Sequence, residues 1–312
     1  MPKNTTPDTT GLTGADLTAK SLTASDAPAP MPFNLHDAEA LHLALEQQIH
    51  SFVSAKQPGK TYIVADFEFR WNTTVSDGYR AAEGASAPKR IRWPFDTIAA
   101  ASWMVMRFKA NGAVEIEPPV VMSAQEPDGT AAERQMVEAF FAALAAEPNA
   151  VLISYGGETR DFAVLRRCAA TYDLQMPPQL RESRLYHPAK LDLCMAMSMG
   201  AECVHLPELA AGLAIPAKPS PSKSIGQLIE QGKWADVREQ VLADVLTTGV
   251  LAIYHLASHG VITCNRADTV LAMATAAKLA APVDRFVSKA FVPWASHMKV
   301  RSRLRGVIDA AA

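Results

Sequence analysis

Thr61-Tyr-Ile-Val-Ala-Asp-Phe-Glu-Phe-Arg70 sets the expectations for the rest of the chain. Its apolar run, Tyr62 to Ala65, leads straight into Asp66 and Glu68 and reads as a buried strand. Residues i and i+2 of a strand share a face. Asp66 and Glu68 therefore project together, while Phe67 and Phe69 project the other way. Two adjacent carboxylates on a sheet repel each other unless a cation lies between them. Hard oxygen donors of this kind suit Mg²⁺ or Mn²⁺. Such ions serve phosphodiester chemistry by activating a water and stabilising the leaving oxygen. Asp-x-Glu alone is a weak signal, since Asp37-Ala-Glu39 repeats it in surroundings that read as solvated helix. The competing reading of Asp66 and Glu68 is a strand end with two exposed acids.

Upstream, residues 1–34 are rich in Thr, Ser, Ala, Pro and Asp. That composition cannot bury enough surface to offset its ordering entropy, and it predicts a disordered arm. Leu35 to Val53 has helical spacing of apolar residues. Downstream, residues 72–94 read as a long polar connection, of a length that is usually functional or disordered. Ile98–Phe108 and Ala113–Met122 read as strands joined by an Asn111-Gly112 hairpin turn. Ala131–Ala146 reads as an amphipathic helix, Ala150–Tyr155 as a short strand, Gly156-Gly157 as a turn and Asp161–Thr171 as a helix. Leu191–Met199 and Leu206–Leu213 read as short helices. Asp236-x-x-Glu239 has the form of a capping box opening a long helix that carries Asp244. Beyond Asn265 the chain is Ala-rich and helical. Hairpin strands, then alternating helix and strand, then helices predict an α/β domain with a mixed sheet.

At 312 residues the chain can bury a substantial core, and its 49% hydrophobic and 20% charged content is that of a globular protein. A net charge of −2 gives no global basicity, so any cationic surface must be local. Cys168, Cys194, Cys203 and Cys264 form no Cys-x-x-Cys pair. Buried thiols in a reducing cytoplasm are the simplest expectation. The opening residues do not read as a signal peptide. Val245–Cys264 is apolar but interrupted by Tyr254, His255 and His259, and reads as a core helix with no membrane partner.

Three segments in order resemble the DEDD superfamily of 3′–5′ exonucleases. Within it they are most similar to the predicted exonucleases related to the exonuclease domain of family B DNA polymerases. The segments are Ala65-Asp66-Phe67-Glu68; Ile153-Ser-Tyr-Gly-Gly-Glu-Thr-Arg-Asp161-Phe-Ala-Val-Leu165; and Val241-Leu-Ala-Asp244-Val-Leu-Thr-Thr248. Leu191-Asp-Leu193 and Leu206 to Lys218 resemble the connecting region before the last motif. The resemblance runs from about Thr61 to about His255. It implies a ribonuclease H-like mixed sheet flanked by helices, within an exonuclease-like domain at 35–262. A C-terminal helical extension occupies 263–312. It further implies that Asp66, Glu68 and Asp244 bind two ions, Mg²⁺ or Mn²⁺, and that Asp161 helps to hold the second through water. The implied reaction releases nucleoside 5′-monophosphates from single-stranded nucleic acid, DNA being favoured over RNA. The alternative is an exonuclease-fold module that binds nucleic acid with weak or no catalysis.

The chain departs from the family at three places. Where the family has a Tyr four residues before the last Asp, or a His five before it, this chain has Gln240 and Glu239. Gln240 lies one helical turn before Asp244 and is the candidate for holding the attacking water, although an amide cannot accept its proton. Glu239 is assigned to the capping box with Asp236. His255 and His259 lie about 16 to 22 Å along the helix from Asp244, too far to substitute. Gly156 stands where Asn is usual, and Arg160 where Phe is usual before Asp161. Arg160 either pairs with Asp161 or meets a phosphate. The candidate substrate-binding residues are Phe67, Arg160, Lys218, Trp71, Trp93 and Arg92. Trp71, Tyr79 and Trp93 interleave with Arg80, Lys89, Arg90 and Arg92. They form either a stacking platform for a single strand or a solvated loop with the tryptophans packed on the core. The cations Lys299 to Arg305 read as a solvated helix end, with a phosphate contact as the alternative.

Overall fold

The computed structural model describes residues 59–125, 129–181, 187–198, 201–219 and 224–311. The N-terminal arm and the helix expected at 35–53 lie outside them. The elements are β1 (Lys60–Trp71), α1 (Thr73–Glu83), β2 (Asp96–Phe108), β3 (Val114–Ile116), β4 (Val120–Ser123), α2 (Gly129–Ala146) and β5 (Val151–Ser154). They continue with α3 (Asp161–Tyr172), α4 (Pro178–Arg181), β6 (Lys190–Asp192), α5 (Leu193–Ser198), α6 (Leu206–Gly212) and α7 (Ile225–Glu230). Three long helices close the chain: α8 (Trp234–Ser258), α9 (Arg266–Ala280) and α10 (Val292–Ala311).

The sheet has six strands in the order β3-β2-β1-β5-β6, with β4 pairing the far part of β2. β1 and β2 are antiparallel, and β5 and β6 run parallel to β1. This mixed sheet between helical layers is consistent with a ribonuclease H-like fold. The alternation expected of β1 sorts its side chains between two cores. Tyr62 and Val64 pack with Leu242, Val245 and Leu246 of α8 and with residues of α9 and α10. Ile63, Ala65, Phe67 and Phe69 pack against Phe140 and Leu144 of α2 and Phe162 and Leu165 of α3. Asp66 and Glu68 share the α8 face by the same alternation.

Three differences from the sequence reading have physical causes. The polar connection at 72–94 contains a helix, α1, whose N-terminus is capped by Asn72 Oδ1 accepting from the Val75 N–H at 3.1 Å. Only Ser76 of this helix is buried, so no apolar stripe announces it. The second arm of the hairpin is split into β3 and β4, because Pro118 and Pro119 cannot donate to a ladder. Lys190–Asp192 adds an edge strand too short for any periodicity to show. The Asn111-Gly112 turn does form, with Gly112 at φ +81° and Asn111 Oδ1 accepting from the Ala113 N–H. By length and composition α8 could cross a membrane, yet 78% of its apolar window is buried inside the protein.

Candidate metal centre

β1 delivers Asp66 and Glu68, and α8 lays Asp244 across them. One carboxylate oxygen from each of these three residues lies within 4.8 Å of the others. Burial drives the electrostatics. Asp66 is held well above the usual carboxylate range, first by desolvation and then by the charges of Asp244, Glu68 and Asp161, with Lys218 opposing. Glu68 is pushed up to about 7 by desolvation, against the pull of Lys218. Asp244 is also raised by burial, and Lys218 again opposes.

Asp161 opens α3 and stands beside this group rather than in it. It is near enough to raise Asp66 and Glu68. Burial pushes Asp161 itself to about 7, with Arg160 lowering it and Asp192 and Asp96 raising it. The turn that places it depends on two glycines. Gly156 sits at φ +81°, a left-handed position that glycine adopts freely and that Asn also tolerates. A Cβ on Gly157 would fall 2.5 Å from Ser154 Oγ and 2.7 Å from Ser154 Cβ.

Asp192 holds the same turn from the edge strand, and the sequence reading gave it no role. Its Oδ1 accepts from the Gly156 N–H at 2.8 Å and the Cys194 N–H at 3.0 Å, and its Oδ2 accepts from the Glu158 N–H at 3.0 Å. Glu158 in turn pairs with buried Lys190 at 2.6 Å. The one available signal was its place between two leucines in Leu191-Asp-Leu193. Asp96 was also missed; it is 2% exposed and accepts from Arg160 Nε at 2.7 Å.

Lys218 is the central cation. Its side chain is only 6% exposed, and its ammonium lies 2.5 Å from Asp244 Oδ2 and 3.8 Å from Glu68 Oε1. Burial works against its charge, but Asp244, Glu68 and Asp66 raise its pKa. The segment before it is pinned to α8 by the Thr247 hydroxyl donating to the Pro216 carbonyl at 2.9 Å.

The remaining expected residues are scattered. Phe67 is 5% exposed and packs edge-on against Phe140, with ring centroids 5.1 Å apart, so its ring belongs to the core. Arg160 pairs with Asp96 rather than Asp161, and its guanidinium lies 4.6 Å over the Phe69 ring. Trp71 and Trp93 are 60% and 43% exposed, so neither is packed on the core. Arg92 is exposed beside Trp93. Glu239 is not the capping partner of Asp236, because α8 begins at Trp234 and Asp236 already lies in its first turn. Its carboxylate accepts from Arg285 Nη2 and from the Phe286 N–H, each at 2.7 Å, tying α8 to the chain that enters α10. Gln240 is 1% exposed, and neither of its amide atoms has a partner. Among the described residues no histidine joins the carboxylate group.

A divalent cation fits this donor set. When ionised, three converging carboxylates with a fourth beside them carry more charge than the Lys218 ammonium and the nearby Arg160 guanidinium offset. Asp244 Oδ1 and the Gln240 amide are buried polar atoms without partners, on residues one helical turn apart along α8.

No protein-family model matches the chain, and no curated protein matches it. Solved structures similar to it include product-bound exonuclease I at 13% identity and a TM-score of 0.39, covering 64% of this chain and 43% of that one. E. coli exonuclease I in complex with a dT13 oligonucleotide is 14% identical with a TM-score of 0.38, covering 64% and 41%. The family B DNA polymerase of the hyperthermophilic archaeon Pyrobaculum calidifontis is 16% identical with a TM-score of 0.43, covering 71% of this chain and 27% of the polymerase. The chain thus spans less than half the length of each of these proteins.

Proposed function

We propose that the protein is a metal-dependent 3′–5′ exonuclease of the DEDD type. In this reading it releases nucleoside 5′-monophosphates from single-stranded ends, DNA slightly favoured over RNA. The observation that carries the proposal is the convergence of Asp66, Glu68 and Asp244 within 4.8 Å, the first two half-buried and the third buried. Asp66, Glu68 and Asp244 would hold two Mg²⁺ or Mn²⁺ ions directly, with Asp161 helping to hold one of them. When bound, such ions supply a hydroxide nucleophile at neutral pH and neutralise the leaving oxygen. The chain's own groups do the rest. Gln240 orients the attacking water through its amide, without taking its proton. With no tyrosine or histidine at that turn, turnover is slow. Lys218 neutralises charge next to Asp244. Trp71 and Trp93 offer aromatic faces for the terminal bases, and Arg92 a cation for a phosphate.

The test is incubation with 5′-labelled single-stranded DNA and RNA in Mn²⁺, Mg²⁺ or chelator. A metal-dependent ladder shortening from the 3′ end is expected. Its absence for both nucleic acids, with bound metal shown by calorimetry, would end the exonuclease proposal.

A second reading, a binding module with little or no catalysis, is favoured by Lys218, whose ammonium already engages Asp244 and Glu68. Lys218→Ala separates the two. If the ammonium displaces metal, the variant binds Mn²⁺ more tightly than wild type and gains cleavage. If Lys218 assists the reaction, the variant loses cleavage.

A further inference from the structure

A second cavity, of about 780 Å³, lies where α9 and α10 meet the segment after α6. Its walls include Tyr254, Arg266, Trp294, His297 and Arg301, and no carboxylate is among its lining residues. That absence is notable in a chain whose net charge is −2. Arg266 and Arg301 are exposed and pair with no carboxylate among the described residues. The nearby Lys299, by contrast, is engaged with Asp268. Arg266 lies over the ring of Tyr254, 5.4 Å from its centroid. Trp294 is anchored by its indole N–H donating to the Ala214 carbonyl at 2.9 Å. Fixed aromatic rings interleaved with unpaired guanidinium groups are what a single strand needs: faces for bases, and forked donors for phosphates.

The placement adds a second, independent observation. Leu213 and Ala214 line this cavity, and Lys218, four residues beyond Ala214, touches the carboxylate centre. Four residues span at most about 14 Å. Ala214 adopts φ +53°, a left-handed conformation unfavourable for alanine, and its carbonyl is the acceptor that holds Trp294. The segment is thus fixed at both ends, with the cavity at one and the acids at the other.

We propose that this cavity is a binding site for single-stranded nucleic acid, taking phosphates on Arg266 and Arg301 and a base against Trp294. It deepens the exonuclease reading, on which it rests only for its place along the strand: it would hold the substrate a few nucleotides from the end being cleaved.

Fluorescence anisotropy with labelled dT20 in chelator reads binding without catalysis. Arg301→Glu and the double variant Arg266→Glu/Arg301→Glu are compared with Lys109→Glu, which makes the same single charge change on the β2–β3 hairpin. The double variant should weaken dT20 binding about tenfold or more, and the slope of log K against log salt should fall by about 1.4, about 0.7 for each lost phosphate contact. Lys109→Glu should stay within about twofold of wild type. Unchanged affinity and slope in the double variant, an equal loss in Lys109→Glu, or no dT20 binding by wild type would each overturn the cavity. Trimming of dT20 by wild type in Mn²⁺ is scored separately. Binding that depends on the two arginines without any trimming keeps the cavity and removes the exonuclease reading. Trimming with arginine-independent binding does the reverse.

Discussion

The carboxylate centre and the cavity of the C-terminal helices stand at the two ends of one short segment, Leu213 to Lys218, and they are built by opposite means. The first gathers acids in a largely desolvated setting, where burial raises Asp66, Glu68 and Asp244 and the neighbouring carboxylates raise the first two further. The second leaves cations of one sign at the surface, where solvent screens them. A desolvated cluster of like charges costs stability unless its members take up protons or bind a cation. An exposed cationic rim costs little, and its substitution changes affinity rather than folding. Experiments that separate folding, catalysis and affinity should therefore divide along this line.

The largest effect is expected from Asp66→Ala and Asp244→Ala. Each should lower hydrolysis of a labelled single strand by at least about 10²–10³-fold, the scale of losing one group aimed at transition-state charge. Their circular dichroism should be unchanged. Full activity in both variants would leave the acid centre without a catalytic role.

Next is Gly157→Ala, which touches no charge. The added Cβ must displace Ser154 or the turn itself, and with it Asp161. Overpacking of this kind costs about 1–3 kcal/mol. Metal-dependent activity should fall with stability, whereas Arg301→Glu should leave the melting temperature within about 1–2 °C. Wild-type activity in Gly157→Ala would show that the placement of Asp161 is not critical.

The third effect is a pH dependence. Glu68 rises from an ordinary 4.5 to about 7 in the folded, metal-free protein. The folded state therefore binds more protons than the unfolded state between these values. The contribution of Glu68 to stability is present below about 4.5 and is lost as pH rises through about 7. Glu68→Gln removes that titration. In chelator, the stability of the variant relative to wild type should increase from pH 4.5 to 7 and level off above, as read by denaturant unfolding. With Mn²⁺ present the order should reverse above pH 7, because the ionised wild-type carboxylate is then a ligand. A flat difference across the range would mean that Glu68 is not buried with its neighbours.

The smallest effect is expected at the exposed aromatics. Trp71→Ala and Trp93→Ala should change stability by no more than about 0.5 kcal/mol. Either should weaken binding of short oligonucleotides by about 1–3 kcal/mol if a base stacks there. Unchanged affinity in both would confine base stacking to the cavity between α9 and α10.

Much of this was legible in the chain. The alternation of Tyr62 to Phe69 fixed which acids share a face, because strand periodicity is local and β1 is buried on both sides. The Asn111-Gly112 turn and the helices at 129–146 and 161–172 were equally readable, since each carries its own turn or apolar signal. Helix α1 was not, because it buries almost nothing and its stop signals resemble those of a loop. Glu239 shows how a good local pattern can be overruled. Its spacing from Asp236 fits a capping box, but Arg285 and the Phe286 N–H, 46 and 47 residues further on, claim the carboxylate.

What the sequence determined by itself was the inventory and its local geometry: a strand with two acids on one face, an acid after a Gly-Gly turn, and an acid on an apolar helix. Only the tertiary structure decided that Asp66, Glu68 and Asp244 converge, that Lys218 enters their midst, that Phe67 is core, and that Arg160 belongs to Asp96. The reason is physical. Periodicity and turn chemistry act over a few residues, whereas a buried charge takes whichever partner the packed fold brings within reach, at any distance along the chain.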